Sequence, residues 1–165
     1  MATALRSIQR NTVRFANELG RPDTGLVLAR SLAMATYRSP IEFDARFSVA
    51  PDVVAGIARF PVESYLEARG TEFARRFEAN AFLRLSESID IHAVNPAEVT
   101  SPTTLVSFDS DSLVPPWLVE ELAHAAPGVT RHVELTSPFG HDAFLKEVDA
   151  VSDVIRSALA EEVAR

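Results

Sequence analysis

The feature that most constrains this chain is a change of hydrophobic period near Ser101. From Ala2 to about His92, apolar residues recur every three or four positions, the spacing of helices that bury one face. Leu5, Ile8, Thr12, Phe15 and Leu19 mark a first helix, ended by Gly20 and Pro22, and Leu26, Leu28, Ala29, Leu32, Ala33 and Tyr37 a second, nearly all apolar, after Gly25. Ser39-Pro40 predicts a helix start, with Ser39 as N-cap, Pro40 at the first position and Glu42 three residues after the cap, running to about Phe47. A loop around Pro51 follows, then a helix from Pro61 through Phe77, weakened or split at Gly70, and one from Ala79 to Ile91. From Ser101 the order is different. Thr103–Phe108 and Thr130–Leu135 have strand character, Pro115–Ala126 and Asp142–Glu162 helical spacing. A β-α-β-α order favours parallel strands covered by helices, with reactive loops at the carboxyl ends of the strands.

This pattern places the chain in the α/β class with two parts, residues 1–98 helical and 99–165 β-α-β-α. A chain of 165 residues can bury roughly two-thirds of its unfolded surface, so it needs no covalent staples. Two strands are too few for a sheet on their own, so either more strands come from elsewhere or this is a minimal remnant leaning on the helical part. With 16 basic against 23 acidic residues the net charge is −7, and the arginines are scattered among acids, which argues against nucleic acid as a partner. The absence of cysteine removes thiolate metal sites, and no metal is expected. Met1 to Gln9 carries Arg6 and lacks a signal-peptide core, and no segment approaches the ~18 apolar residues of a membrane span, so a cytoplasmic location is expected.

Two loops follow the two strands. Asp109-Ser110-Asp111-Ser112-Leu113-Val114-Pro115 offers carboxylates, and Ser137-Pro138-Phe139-Gly140-His141-Asp142 offers an imidazole just after a glycine. A carboxylate and a histidine so placed fit an acid–base pair, in which the aspartate fixes the tautomer of a histidine that takes a proton from a nucleophile. Spacing alone equally allows Asp109 and Asp111 to cap a turn and His141 to cap its own helix. His92, His124 and His132 have no partner at ligand spacing and read as structural or exposed, and Glu120-Glu121 and Glu161-Glu162 as solvated helix faces.

SFDSDSLVPP at 107–116, followed by SPFGHDAFLKE at 137–147, resembles the closing part of the homoserine O-acyltransferases, a branch of the α/β-hydrolase fold. LARSLAMATYRSPIEFDARF at 28–47 and VESYLEARGTEFARRFEANAFLRL at 62–85 are similar to the helical lid of that family, in the same order. The resemblance implies a partial α/β-hydrolase fold: a helical lid over 1–98 and a C-terminal segment over 99–165 carrying Asp111 as triad acid and His141 as triad base. It further implies that Asp142 meets the amino end of the substrate, alternatively a helix N-terminal acid, and that Arg10 lies near the substrate carboxylate, alternatively an exposed arginine.

The family carries its nucleophilic serine in a Gly-x-Ser-x-Gly-like elbow. None of the glycines at 20, 25, 56, 70, 128 and 140 flanks a serine in that way. The sequence therefore reads as roughly the C-terminal half of a longer enzyme, with Met1 an internal methionine of the ancestral frame. The implied reaction is acyl transfer from acyl-CoA, a co-substrate rather than a bound cofactor, to the hydroxyl of homoserine, with acetyl or succinyl as the acyl group. The short linker between LSESIDIH and SPTTLV resembles the serine O-succinyltransferase branch. The alternative is an inert fragment that associates with a separate half or with itself as a homodimer.

Overall fold

The computed structural model describes residues 2–163; the readings that fall on Met1 and on the side chain of Glu162 lie outside the described residues. The chain divides into two compact units, Met1–Thr36 with Phe43–His92, and Tyr37–Glu42 with Ala93–Arg165. The sequence reading set one boundary at 98. The second unit instead begins at Ala93 and takes in the six residues 37–42 from the helical region.

The first unit is built from α1 (Ala2–Glu18), α2 (Pro22–Tyr37), α3 (Pro40–Phe47), α4 (Pro61–Ala74) and α5 (Ala79–Ile91), with α2 and α3 crossing the unit boundary. Gly20, at φ +69°, ends α1 in the left-handed region, while Pro22 opens α2 rather than closing α1. Gly25 lies inside α2, not before it. A Cβ there would sit 2.7 Å from Ala16 Cβ and 2.9 Å from Val13 Cα, so its role is close helix approach. Gly70 does the same in α4, which it does not split, because a Cβ would meet the Val27 backbone at 2.7 Å. Val13, Leu26, Ala29 and Ala79 form the buried centre, with Phe73, Phe82 and Leu83 against it.

The face of α1 is the main departure. Gln9, Arg10, Val13 and Ala16 are buried, whereas Ile8, Phe15 and Leu19 of the expected apolar stripe are more than half exposed. The buried face packs Val13 and Ala16 and brings Arg6 and Arg10 to Asp90 of α5. The segment read as a loop around Pro51 contains a hairpin, β1 (Asp52–Val54) and β2 (Ile57–Arg59), turned by Ala55 and Gly56 at positive φ.

In the second unit, β3 (Thr103–Phe108) pairs in parallel with β4 (Val129–Leu135), in register from Thr104↔Arg131 to Phe108↔Leu135. The crossover helix α6 (Pro116–Ala125) completes the β-α-β unit. The expected final helix is broken: a 3-10 turn at Gly140–Asp142 leads into α7 (Ala143–Lys146), and α8 (Val148–Val163) follows. Phe108, Ala126, Ala143 and Val154 are its buried apolar residues. Gly128 fits only as glycine, because a Cβ would lie 2.3 Å from Ser101 O.

Candidate active site

The carboxyl ends of β3 and β4 are laced together by their loops. Asp109 Oδ1 accepts the N–H of Ser137 at 3.0 Å, the Ser110 hydroxyl donates to the Ser137 carbonyl, and Gly140 N–H donates to Ser110 Oγ at 3.0 Å. Ser137 in turn donates its hydroxyl to Glu147 at 2.8 Å. These contacts spend Asp109 on joining the loops and leave Asp111 as the carboxylate that faces the imidazole.

Asp111 both caps a turn and meets the imidazole. Its Oδ1 accepts the backbone N–H groups of Leu113 and Val114, each at 2.9 Å, and its Oδ2 lies 2.8 Å from His141 Nδ1. A carboxylate can only accept, so Nδ1 carries the proton and Nε2 is the free basic nitrogen of neutral His141. Burial pushes the Asp111 carboxyl up. The hydrogen bonds from His141, Val114 and Leu113 outweigh it and hold the group below its ordinary value. His141 is raised above its ordinary 6.5, chiefly by the bond to Asp111, against the opposing effect of burial and with help from the charge of Asp142. Its side chain is 32% exposed, and the rings of Tyr37 and Phe144 flank it at 5.6 and 6.2 Å. The pair can thus accept a proton at Nε2 while Asp111 stabilises the cation that forms.

Gly140 makes the turn possible. At φ +63° it occupies the left-handed region, and a Cβ would stand 2.6 Å from Ser39 N and 2.9 Å from Arg38 C. Residues 37–39 are therefore pressed against the turn that carries His141. Ser39, 1% exposed, caps α3 by accepting Glu42 N–H at 3.1 Å, as its position predicts, and also donates to the Pro138 carbonyl.

Asp142 makes no cap bond to α7; its carboxylate lies 3.5 Å from the Arg38 guanidinium and is 19% exposed. Arg10 is in the first unit and is buried, unlike the exposed arginine of the alternative reading. It donates to Ser86 O, Ser86 Oγ, Ser7 Oγ and, at 2.5 Å, to Asp90. The second unit thus gathers Asp111, His141 and Asp142, and Arg10 is engaged elsewhere. His124 bonds the Glu120 carbonyl, His132 bonds Ser107 Oγ at 2.9 Å, and His92 caps α5. Among the described residues no three His, Asp or Glu side chains are grouped to hold a metal ion, and no helix is long and apolar enough to cross a membrane. Tyr37, Arg38 and Glu42 were not marked by the sequence reading as site residues, and the cap signal Ser39-x-x-Glu42 is the sequence feature closest to them.

No protein-family model matches the chain. It is 43% identical over 159 residues to a homoserine O-succinyltransferase of Xanthomonas campestris pv. campestris, covering 96% of this chain and 43% of that protein. It is 37% identical over 145 residues to a homoserine O-acetyltransferase of Thermus thermophilus, covering 82% and 36%. Among solved structures, esterase E22 superposes with TM-score 0.81 at 16% identity, over 96% of this chain and 50% of that one. Homoserine O-acetyltransferase from Staphylococcus aureus gives TM-score 0.65 at 24% identity, over 90% and 43%. Both likenesses concern the fold. The chain spans less than half the length of the curated relatives it matches. At this identity over nearly all of its residues, the chain belongs to the homoserine O-succinyl- and O-acetyltransferases, with the α/β-hydrolase fold.

Proposed function

We propose that the chain supplies the acid–base half of a homoserine O-acyltransferase-like reaction. An acyl group passes from acyl-CoA to a serine hydroxyl, with release of the CoA thiol, and then from that serine to the hydroxyl of a small amino acid. His141 takes the proton of each attacking hydroxyl at Nε2 and returns it to the departing group, and Asp111 holds its tautomer. The observation that carries this reading is the 2.8 Å bond between His141 Nδ1 and Asp111 Oδ2 at the carboxyl ends of parallel strands. Asp142 is read as the contact for the ammonium of the acceptor and Arg10 as a contact for its carboxylate, the latter only if it exchanges Asp90 for substrate. Homoserine is the favoured acceptor, with serine as the alternative; acetyl and succinyl are the candidate acyl groups, and the cytoplasm is the place of action.

A second reading, favoured by the lack of a Gly-x-Ser-x-Gly segment, is that the polypeptide alone is inert and works by association. β3 and β4 form a sheet of two strands, and a cavity of about 370 Å³ beside them is lined by Thr104, Val106, Val154, Ile155 and Leu159. Such a surface suits a nucleophile-bearing half or a second copy.

One assay separates the readings. The chain is incubated with acetyl-CoA or succinyl-CoA and homoserine or serine, with and without the serine-bearing half of a relative, and thiol release is followed. Alone it is expected to be silent. With the added half, turnover should appear, vanish in His141→Ala and fall by about 10⁴ in Asp111→Asn. Asp142→Ala should chiefly weaken the acceptor's apparent affinity, by roughly 10- to 150-fold. Turnover that survives His141→Ala contradicts the assignment.

A further inference from the structure

Next to the Asp111–His141 pair, the second unit holds a row of alternating charges. Lys146, the single lysine of the chain, donates through Nζ to Glu42 Oε1 at 2.7 Å. The same oxygen accepts from Arg38 Nη1, and Arg38 Nη2 lies 3.5 Å from Asp142 Oδ2. The signs run plus, minus, plus, minus, ending on the residue that follows His141. Glu42, Arg38 and Asp142 have side chains 11%, 12% and 19% exposed, so water screens them less than surface ions. Glu42 Oε2 is buried without a hydrogen-bond partner, which leaves its charge leaning on the two cations at Oε1. The row is seated by uncharged contacts as well: Ser39 to the Pro138 carbonyl, and Gly140 against the 37–39 backbone.

We propose that the row Lys146, Glu42, Arg38, Asp142 sets how firmly His141 holds its proton, with Arg38 as the positioning residue that offsets the Asp142 carboxylate. Arg38 acts by its charge, which offsets that of Asp142, and touches no reacting atom. Each group in the row masks its neighbour, so removing one exposes the charge of the next. The groups that face His141 are Asp111 from the loop after β3, Asp142 on its own turn, Tyr37 of α2 and Phe144 of α7, and Arg38 meets Asp142. Asp109 and Glu147 are engaged by Ser137. The inference does not depend on the acyl-transfer reading, because its test follows a proton and needs no turnover.

The test is titration of the His141 ring by ¹⁵N NMR in the full chain and its variants. Arg38→Gln should raise the pKa by about 0.5, and Asp142→Asn should lower it by about as much. Glu42→Gln should lower it less, and Lys146→Met should raise it least, by about 0.1 to 0.2. The double variant Arg38→Gln/Asp142→Asn should return close to the unchanged chain, and Arg38→Lys should stay near it. Alternating sign that fades with distance along the row is the expected result, and a packing role would not produce it. Shifts of one sign throughout, no shift in Arg38→Gln, or equal shifts in Arg38→Gln and Arg38→Lys overturn the proposal. If Arg38→Gln does not fold, the opposite signs of Glu42→Gln and Lys146→Met decide, since methionine keeps the length of the Lys146 side chain over the Phe139 ring, 4.2 Å from its Nζ, and removes only the charge.

Discussion

Of the carboxylates that meet basic side chains at hydrogen-bond distance, Asp90 and Asp111 behave oppositely. Asp90 on α5 takes Arg6 and Arg10 of α1, and Asp111 in the loop after β3 takes His141. The arginines cannot give up their protons at any pH the protein meets, so Asp90 stays charged: hydrogen bonds from Arg6 and then Arg10, against some desolvation, lower its pKa to about 2. That cluster is a clamp between two helices. His141 holds its proton more firmly than a free imidazole, yet unlike an arginine it can still give that proton up, so the same kind of contact becomes a switch. Burial does not separate the two cases, since Arg10 and Asp111 are 8% and 7% exposed. The difference lies in which partner can lose a proton, and only the second arrangement can do acid–base chemistry.

The largest expected effect breaks the switch and spares the clamp. Gly140→Ala forces a side chain onto the Ser39 backbone from a left-handed residue and should destabilise the second unit by about 3 kcal/mol or more. Denaturant unfolding followed by Trp117, the single tryptophan and a residue of that unit, would read this out. An unchanged midpoint contradicts the close approach of residues 37–39 to the turn.

Arg10→Met attacks the clamp and should cost the first unit about 2 kcal/mol at pH 7 through lost buried hydrogen bonds to Ser86. The pH profile sharpens this. Asp90 is depressed on folding, so its stabilising contribution is present above the ordinary carboxylate value of 3.8 and disappears as pH falls through about 2. Circular dichroism melts of wild type and variant should draw closer there, leaving the part of the gap that comes from the Ser86 hydrogen bonds; a gap that stays constant down to pH 2 means the charge of Asp90 is not what Arg10 serves.

The smallest effect belongs to the switch itself. His141 is raised on folding, so the pair stabilises fully below pH 6.5 and loses that contribution as pH rises through the folded value. His141→Gln should cost at most about 1 kcal/mol near pH 6, given partial exposure, and nearly nothing at pH 9. Melts at the two pH values decide it. A gap that grows with pH reverses the sign of the argument.

Much of the second unit was legible in the sequence, because strands between helical runs leave a strong period signal: TTLVSF and the alternation after Gly128 became the parallel pair within a residue. Asp111 and His141 were legible as loop residues after those strands, and the family resemblance chose between capping and catalysis where spacing could not. In the structure, capping and contact with His141 coexist, since one oxygen of Asp111 takes the backbone and the other the imidazole. The hairpin at 52–59 was hidden because its strands have three residues each, all exposed, and so carry no alternation. The orientation of α1 was hidden for a different reason. Apolar spacing marked one face, but Arg6 and Arg10 answer to Asp90, some 80 residues away, and pairings across such a separation leave no periodicity. The same holds for Lys146 and Glu42, and for Gly25 and Gly70, whose helix contacts exist only once the chain is folded.

The central claim is that the loops after β3 and β4 make one acid–base pair, and the NMR titration of His141 in Asp111→Asn tests it most directly. In the unchanged chain His141 should titrate above 6.5, and in Asp111→Asn, with the carboxylate bond gone and burial opposed by the charge of Asp142 alone, it should titrate clearly lower. A His141 that titrates identically in the two proteins would contradict the account.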